Sequence, residues 1–222
     1  MEQHYFSPRP EAAHRPGRVH VLLPDVHLEL ETDAGVFSPG RLDAGTRLLL
    51  DVAPAPPPAG DLLDLGCGYG PIALVLAVRA PGSVVWAVDV NERALELCAR
   101  NAARAGLANV RCVTPGDPAL PAAFAGAWSN PPIRIGKHAL HELLGTWLPR
   151  LEPGGSAHIV AQRHLGADSL HQWLAGQGWD VTRVAARAGY RVLQIAHAGH
   201  GVSGQERPAR RGRPAADGES VP

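Results

Sequence analysis

The chain has 222 residues, 45% of them hydrophobic, with 21 basic and 21 acidic side chains and a pI near 7.2. That length suits one domain of roughly 180 residues with irregular ends, and the even charge gives no global sign of a nucleic-acid or membrane partner. No apolar run reaches the roughly 18 residues that a membrane span needs; the longest, Pro71–Val78, is closed by Arg79. The opening Met1-Glu2-Gln3-His4 has neither a basic start nor an apolar stretch behind it. No signal peptide is expected there, and the protein is read as cytoplasmic. Cys67, Cys98 and Cys112 are too few and too scattered for a disulfide framework or a zinc site, so no metal is expected. Lys137 is the single lysine beside twenty arginines. With the abundant Ala, Gly and Pro, this bias fits a GC-rich coding sequence and a solvated charged surface.

In chain order, residues 1–30 read as an N-terminal extension: a Pro/Arg/His-rich opening, then an alternating run, Val19 to Leu30, that fits a strand. Residues 31–50 read as a turn-rich loop running into a helix start, and Pro54–Gly60 as a connection. Strands are expected at Leu62–Leu65, Val84–Asp89, Val110–Val113, Ala125–Ser129 and Ala157–Ala161, with a closing hairpin at Val181–Ala185 and Tyr190–Ile195. Between them fall helices Pro71–Arg79, Glu92–Ala105, Lys137–Leu151 and Ala167–Gln177. Pro71 suits a first helical turn and Gly106 a helix end. This βα alternation over residues 31–199 implies an α/β fold with a mostly parallel sheet. Residues 200–222 carry almost no large apolar side chain and read as a disordered tail. Its four arginines (Arg207, Arg210, Arg211, Arg213) offer weak phosphate contacts at most.

Two segments carry chemistry. Asp64-Leu65-Gly66-Cys67-Gly68-Tyr69-Gly70 lies between a strand and a helix, with G-x-G-x-G spacing. Glycines there allow a sharp turn and close approach of backbone to a ligand, so Gly66, Cys67 and Gly68 are candidates to touch a cofactor. Asp89, about twenty residues on at the end of the next strand, is placed to accept from two ribose hydroxyls. Its competing reading as a helix cap fits Asn91 better. Asp117, after the third strand, is a candidate for an adenine amine, or a plain turn aspartate. A loop of this spacing suits S-adenosylmethionine, which has no phosphate. With parallel strands and a closing hairpin it gives the class I methyltransferase fold, a Rossmann relative.

The second segment is Ser129-Asn130-Pro131-Pro132-Ile133, ending the fourth strand. The lone pair of an exocyclic amine is delocalised into its ring. The Asn130 side-chain oxygen and the Pro131 carbonyl can each accept one amine hydrogen and turn that lone pair toward a sulfonium methyl, while the prolines stiffen the loop.

With these blocks in order, the chain resembles the methyltransferase small-domain family, in particular single-domain relatives of the 16S ribosomal RNA guanine-N2 methyltransferase. The resemblance covers roughly residues 4–196. It also rests on Gly35-Val36-Phe37-Ser38, Leu42-Asp43-Ala44-Gly45-Thr46, Val88-Asp89-Val90-Asn91, Arg134-Ile135-Gly136-Lys137 and Gly189-Tyr190-Arg191-Val192-Leu193. It implies that Asp64, Gly66, Gly68, Asp89 and Asn130 contact the cofactor or the target amine. It further implies that the Gly35–Thr46 loop closes over the site with Phe37 near the ligand, and that the partner is small-subunit ribosomal RNA. Arg134 and Lys137 are candidates for flanking phosphates, or ordinary surface charges. Two departures stand out. Ala125 follows Phe124 where the family often has Asp, and about thirty residues precede the domain where larger members carry a second, degenerate one. Asn-Pro-Pro also serves adenine-N6 and glutamine-amide methyltransferases, which usually have an aromatic residue next; Ile133 is a flat apolar contact without stacking. A non-catalytic RNA-binding protein of this fold is the alternative of another class, disfavoured by two intact motifs. His138, His141 and His164 have no metal-ligand spacing.

Overall fold

The computed structural model describes residues 13–132 and 135–199. Strands β3 (Ala59–Leu65), β4 (Gly82–Val88), β5 (Val110–Val113), β6 (Phe124–Ser129), β7 (Leu151–Gln162), β8 (Trp179–Arg187) and β9 (Tyr190–His197) form one sheet in the order β5-β4-β3-β6-β7-β9-β8. The pairs from β5 to β7 are parallel, and β9 pairs antiparallel with both β7 and β8. Leu62, Leu63, Asp64 and Leu65 at the end of β3 are all buried, as a strand covered on both faces requires.

One face is covered by α1 (Ala44–Val52), α2 (Pro71–Arg79) and α3 (Glu92–Arg104), the other by α4 (Lys137–Trp147) and α5 (Ala167–Gly176). Helix α2 buries every residue from Ile72 to Ala77, so it is apolar all round. Helix α3 is amphipathic instead, burying Ala94, Leu97, Cys98, Asn101 and Ala102 on one face. The chain leaves β3 toward one edge and returns to β6 beside it. A crevice therefore opens at the C-terminal ends of β3 and β6, where an open α/β sheet binds its ligand.

Three expectations are corrected. Val19–Leu30 is not one strand but a hairpin of β1 (Gly17–Leu22) and β2 (His27–Thr32), and a boundary at residue 31 falls inside β2. Pro24-Asp25 makes the turn, closed by Leu23 N–H donating to the Val26 carbonyl at 2.9 Å. The hairpin is no loose extension. It buries Val19, Val21, Leu23, Val26 and Leu30 in the core, and the buried Asn101 ties Glu31 of β2 and the Tyr69 carbonyl to α3.

Helix α4, expected to reach Leu151, stops at Trp147, because Pro149 lacks a donor; a 3-10 turn, Leu148–Arg150, follows. The three cysteines, scattered in sequence, come together in one packed cluster of the core, Cys67 and Cys98 buried and Cys112 partly so. They remain free thiols, and burial pushes that of Cys67 up to about 12. Among the described residues no cluster suits a metal and no helix is long and apolar enough to cross a membrane. The expected tail, residues 200–222, lies outside the described residues.

Candidate active site

The crevice is a cleft of about 880 Å3 including its open mouth, lined by three loops. The glycine loop forms its floor. Gly68 has φ 55, and a Cβ there would project into space with no neighbour within 4 Å. Gly70, with φ 97, is closed to any side chain, since a Cβ would lie 2.6 Å from both Cys98 Sγ and Leu74 Cδ1. Asp89 fixes this loop: its Oδ2 accepts from Gly68 N–H at 2.9 Å and its Oδ1 from Asn91 N–H at 2.9 Å. Burial raises the Asp89 carboxyl above its ordinary value, and these backbone donors work against that rise.

The loop before α1 makes a second wall. Asn91 caps α3 by accepting from Ala94 N–H, and its amide donates to the Gly35 carbonyl at 2.9 Å. Arg93 donates to the Ala34 carbonyl at 2.9 Å. These bonds hold Val36, Phe37 and Ser38 against the cleft, with Phe37 38% exposed. Val90, 42% exposed, and Pro115 add apolar surface beyond Asp89.

The third wall is the end of β6. Ser129 Oγ donates to the Leu65 carbonyl at 2.7 Å and locks the two strand ends together. Asn130 follows on the cleft wall, its Nδ2 donating to Asp43 Oδ2 and to Thr46 Oγ1, each at 2.9 Å. Asp43 is also the N-cap of α1, accepting from Thr46 N–H at 2.9 Å.

Of the residues singled out in the sequence, Phe37, Gly66, Cys67, Gly68, Asp89 and Asn130 meet around this cleft. Asp64 does not. It is fully buried, and its Oδ2 accepts from Ala73 N–H at 2.8 Å, capping α2 from the strand below. Burial pushes its carboxyl up to about 8, with Asp89 adding to the rise, and its Oδ1 has no partner. Asp117 is also off the wall: its carboxylate accepts from Ala119 N–H at 2.8 Å, the plain turn reading. Pro131 is buried beside the wall, which Pro132 lines. Lys137 is exposed on the first turn of α4 and absent from the cleft lining. Ile133 and Arg134 lie outside the described residues. Asp43 and Thr46, which the sequence reading places in the loop closing over the site without a role of their own, also line the cleft; the Asp-x-x-Thr spacing at a helix start is the signal of their capping geometry.

The glycine floor with open space above Gly68, the carboxylate beside it and the apolar wall beyond fit the parts of S-adenosylmethionine: amino-acid tail, ribose and adenine.

Comparison with known proteins agrees with this geometry. The methyltransferase small domain model matches residues 27–194. The uncharacterized protein YbxB of Bacillus subtilis is 35% identical over 199 residues, covering 87% of this chain and 98% of YbxB. Ribosomal RNA small subunit methyltransferase C of Pseudomonas aeruginosa is 37% identical over 163 residues, 67% of this chain but 49% of that protein. The chain thus spans about half the length of the methyltransferase C relatives it matches. In fold it is similar to the 16S rRNA N2-guanine methyltransferase of T. thermophilus, solved with AdoMet and guanosine, with a TM-score of 0.69 and 23% identity, covering 82% of this chain and 50% of that one. On the extent of the family match, the chain belongs to the methyltransferase small domain family.

Proposed function

We propose that this protein transfers the methyl group of S-adenosylmethionine to the exocyclic N2 amine of a guanine in 16S ribosomal RNA. The observation that carries the reading is Asn130 standing on the same cleft as the glycine loop and Asp89, with its amide nitrogen already engaged by Asp43 and Thr46. Bound S-adenosylmethionine supplies an electrophilic methyl on a sulfonium. The protein's part is placement. Asp89 and the Gly66–Gly68 backbone hold the donor, Val90 and Pro115 offer apolar surface to a flat ring, and Phe37 covers the entrance. Asn130 accepts a hydrogen of the target amine and turns its lone pair toward the methyl. The step is an in-line displacement: the nitrogen–carbon bond forms as the carbon–sulfur bond breaks, and the amine proton leaves to solvent. Such catalysis rests on position and electrostatics and needs no covalent enzyme intermediate.

Choice of guanine and of the small subunit comes from the methyltransferase C relatives and from Ile133, which offers no aromatic face for stacking. A guanine in structured RNA must leave its stack to reach this cleft, at a cost of a few kcal/mol. Arg134 and Lys137 follow Asn130 closely in the chain and are proposed to hold the flanking phosphates. The test is in vitro methylation with labelled cofactor, offering small subunits, naked 16S RNA and a peptide release factor in parallel. Label on guanine N2 supports the proposal. Label only on adenine or on the release factor overturns the substrate and leaves a methyltransferase.

A further inference from the structure

We infer that Asp43 and Thr46 are positioning residues that fix Asn130 as a pure hydrogen-bond acceptor toward the cleft, so that the site selects a target nitrogen carrying hydrogen. Asp43 Oδ2 already accepts from Thr46 N–H at 2.9 Å and so presents lone pairs to its neighbours. The atom of Asn130 that faces Asp43 Oδ2 at 2.9 Å must therefore be the amide nitrogen. Turned over, the amide would set two acceptors against each other at that distance. The second amide hydrogen goes to Thr46 Oγ1, also at 2.9 Å, so both donors of Asn130 are engaged within the protein. Only Oδ1 is left for a ligand.

This consequence is chemical selection. On guanine, the N2 amine can donate to such a group, whereas O6 and N7 carry only lone pairs and meet a like acceptor. A site built around one obligate polar partner discriminates strongly against groups that cannot supply the match.

The acceptor state is also held rigidly from behind. Asp43 cannot swing, because the same Oδ2 caps α1 at Thr46 N–H. The first turn of α1 cannot shift, because Gly45 packs against Tyr190 so closely that a Cβ there would lie 2.7 Å from the ring. Tyr190 is fixed in turn by Gln162, whose Nε2 donates to its hydroxyl at 2.9 Å. A path of contacts thus runs from β9 through α1 to the group that meets the substrate.

The inference rests on the amine-methyltransferase reading for its meaning, and its test separates the two. In the free protein, the Asn130 side-chain amide signal, assigned by its loss in Asn130→Ala, should show two bonded, slowly exchanging hydrogens by NMR. Asp43→Ser keeps a helix cap but lacks the carboxylate, and should return that signal toward free-amide exchange. The same variant should slow single-turnover methyl transfer roughly 10-fold to 100-fold, with S-adenosylmethionine affinity unchanged. Thr46→Val, which keeps shape and cap, should give a smaller loss, and Thr46→Ser should restore the parent rate. In an Asn130→Ala background, Asp43→Ser should slow the reaction no further, since Asp43 acts through Asn130. An unchanged amide signal in Asp43→Ser, or losses that multiply in the double variant, overturns the inference. A parent protein that methylates no amine overturns the functional reading instead, while the NMR comparison still decides this one.

Discussion

The glycine floor and the carboxylate of the cofactor half come from one continuous stretch, Gly66 to Asn91, with Pro115 added beyond it, whereas the target half joins Asn130 to Asp43 and Thr46 across 87 and 84 residues. In the first half, one βαβ unit contains the turn, the helix start and the carboxylate, so its bonds are largely local. In the second, the Asn130 amide is bonded to a distant helix cap. Substitutions in the two halves should therefore separate binding from turnover.

The largest effect is expected in the target half. Asn130→Ala should slow single-turnover transfer on the order of 100-fold or more, as loss of one positioned polar group does. Its S-adenosylmethionine affinity, measured by calorimetry, should match the parent. A rate near that of the parent would remove Asn130 from the reaction. Next comes Asp89→Ala, which should weaken cofactor binding at least roughly tenfold, since each hydrogen bond to a charged acceptor contributes about 1.5–3 kcal/mol. Unchanged affinity in a folded variant would break the division between halves.

Two buried groups sharpen the same contrast through pH. Asp64 lies beneath the glycine loop with its carboxyl pushed up from 3.8 to about 8. The folded state keeps this proton when the unfolded chain has lost it. Its contribution to stability is full below pH 4 and is lost as pH rises through about 8, by up to ~1.4 kcal/mol per unit. Chemical denaturation across that window should show the decline, and Asp64→Asn should flatten it.

His158 lies next to the target half, paired with Trp128 of β6 and stacked on it at 5.4 Å, with neither ring nitrogen bonded. Burial lowers its pKa from 6.5 to about 4, so the folded state holds it neutral. Its contribution is present above pH 6.5 and lost as pH falls through about 4, a narrower and smaller effect on the acid side. His158→Phe keeps a ring on Trp128 and should remove the acid slope; a slope that persists would assign it to other groups.

The same contrast explains what the sequence disclosed. Parallel strands, the glycine turn and Asp89 were legible because apolar runs, glycine spacing and a strand-end carboxylate are short-range signals. Helix α2 has its expected bounds, Pro71–Arg79, since Pro71 opens it and Arg79 closes its apolar run. Asp64 was misplaced because a carboxylate beside a glycine loop looks the same whether it faces the ligand or caps the helix behind it. The hairpin at residues 17–32 reads in sequence as one strand because its alternation continues through the Pro24-Asp25 turn. Nothing local marks Asp43 as a partner of Asn130, since only the packing of α1 against β7 and β9 brings them together.

The most direct test of the account reads the product in the cell. Nucleosides from digested 16S RNA of a strain lacking this gene are compared by mass spectrometry with those of its parent. The account predicts the loss of one N2-methylguanosine, restored by the parent gene and not by one encoding Asn130→Ala. An unchanged N2-methylguanosine content, or a missing methyl on adenine instead, would contradict it.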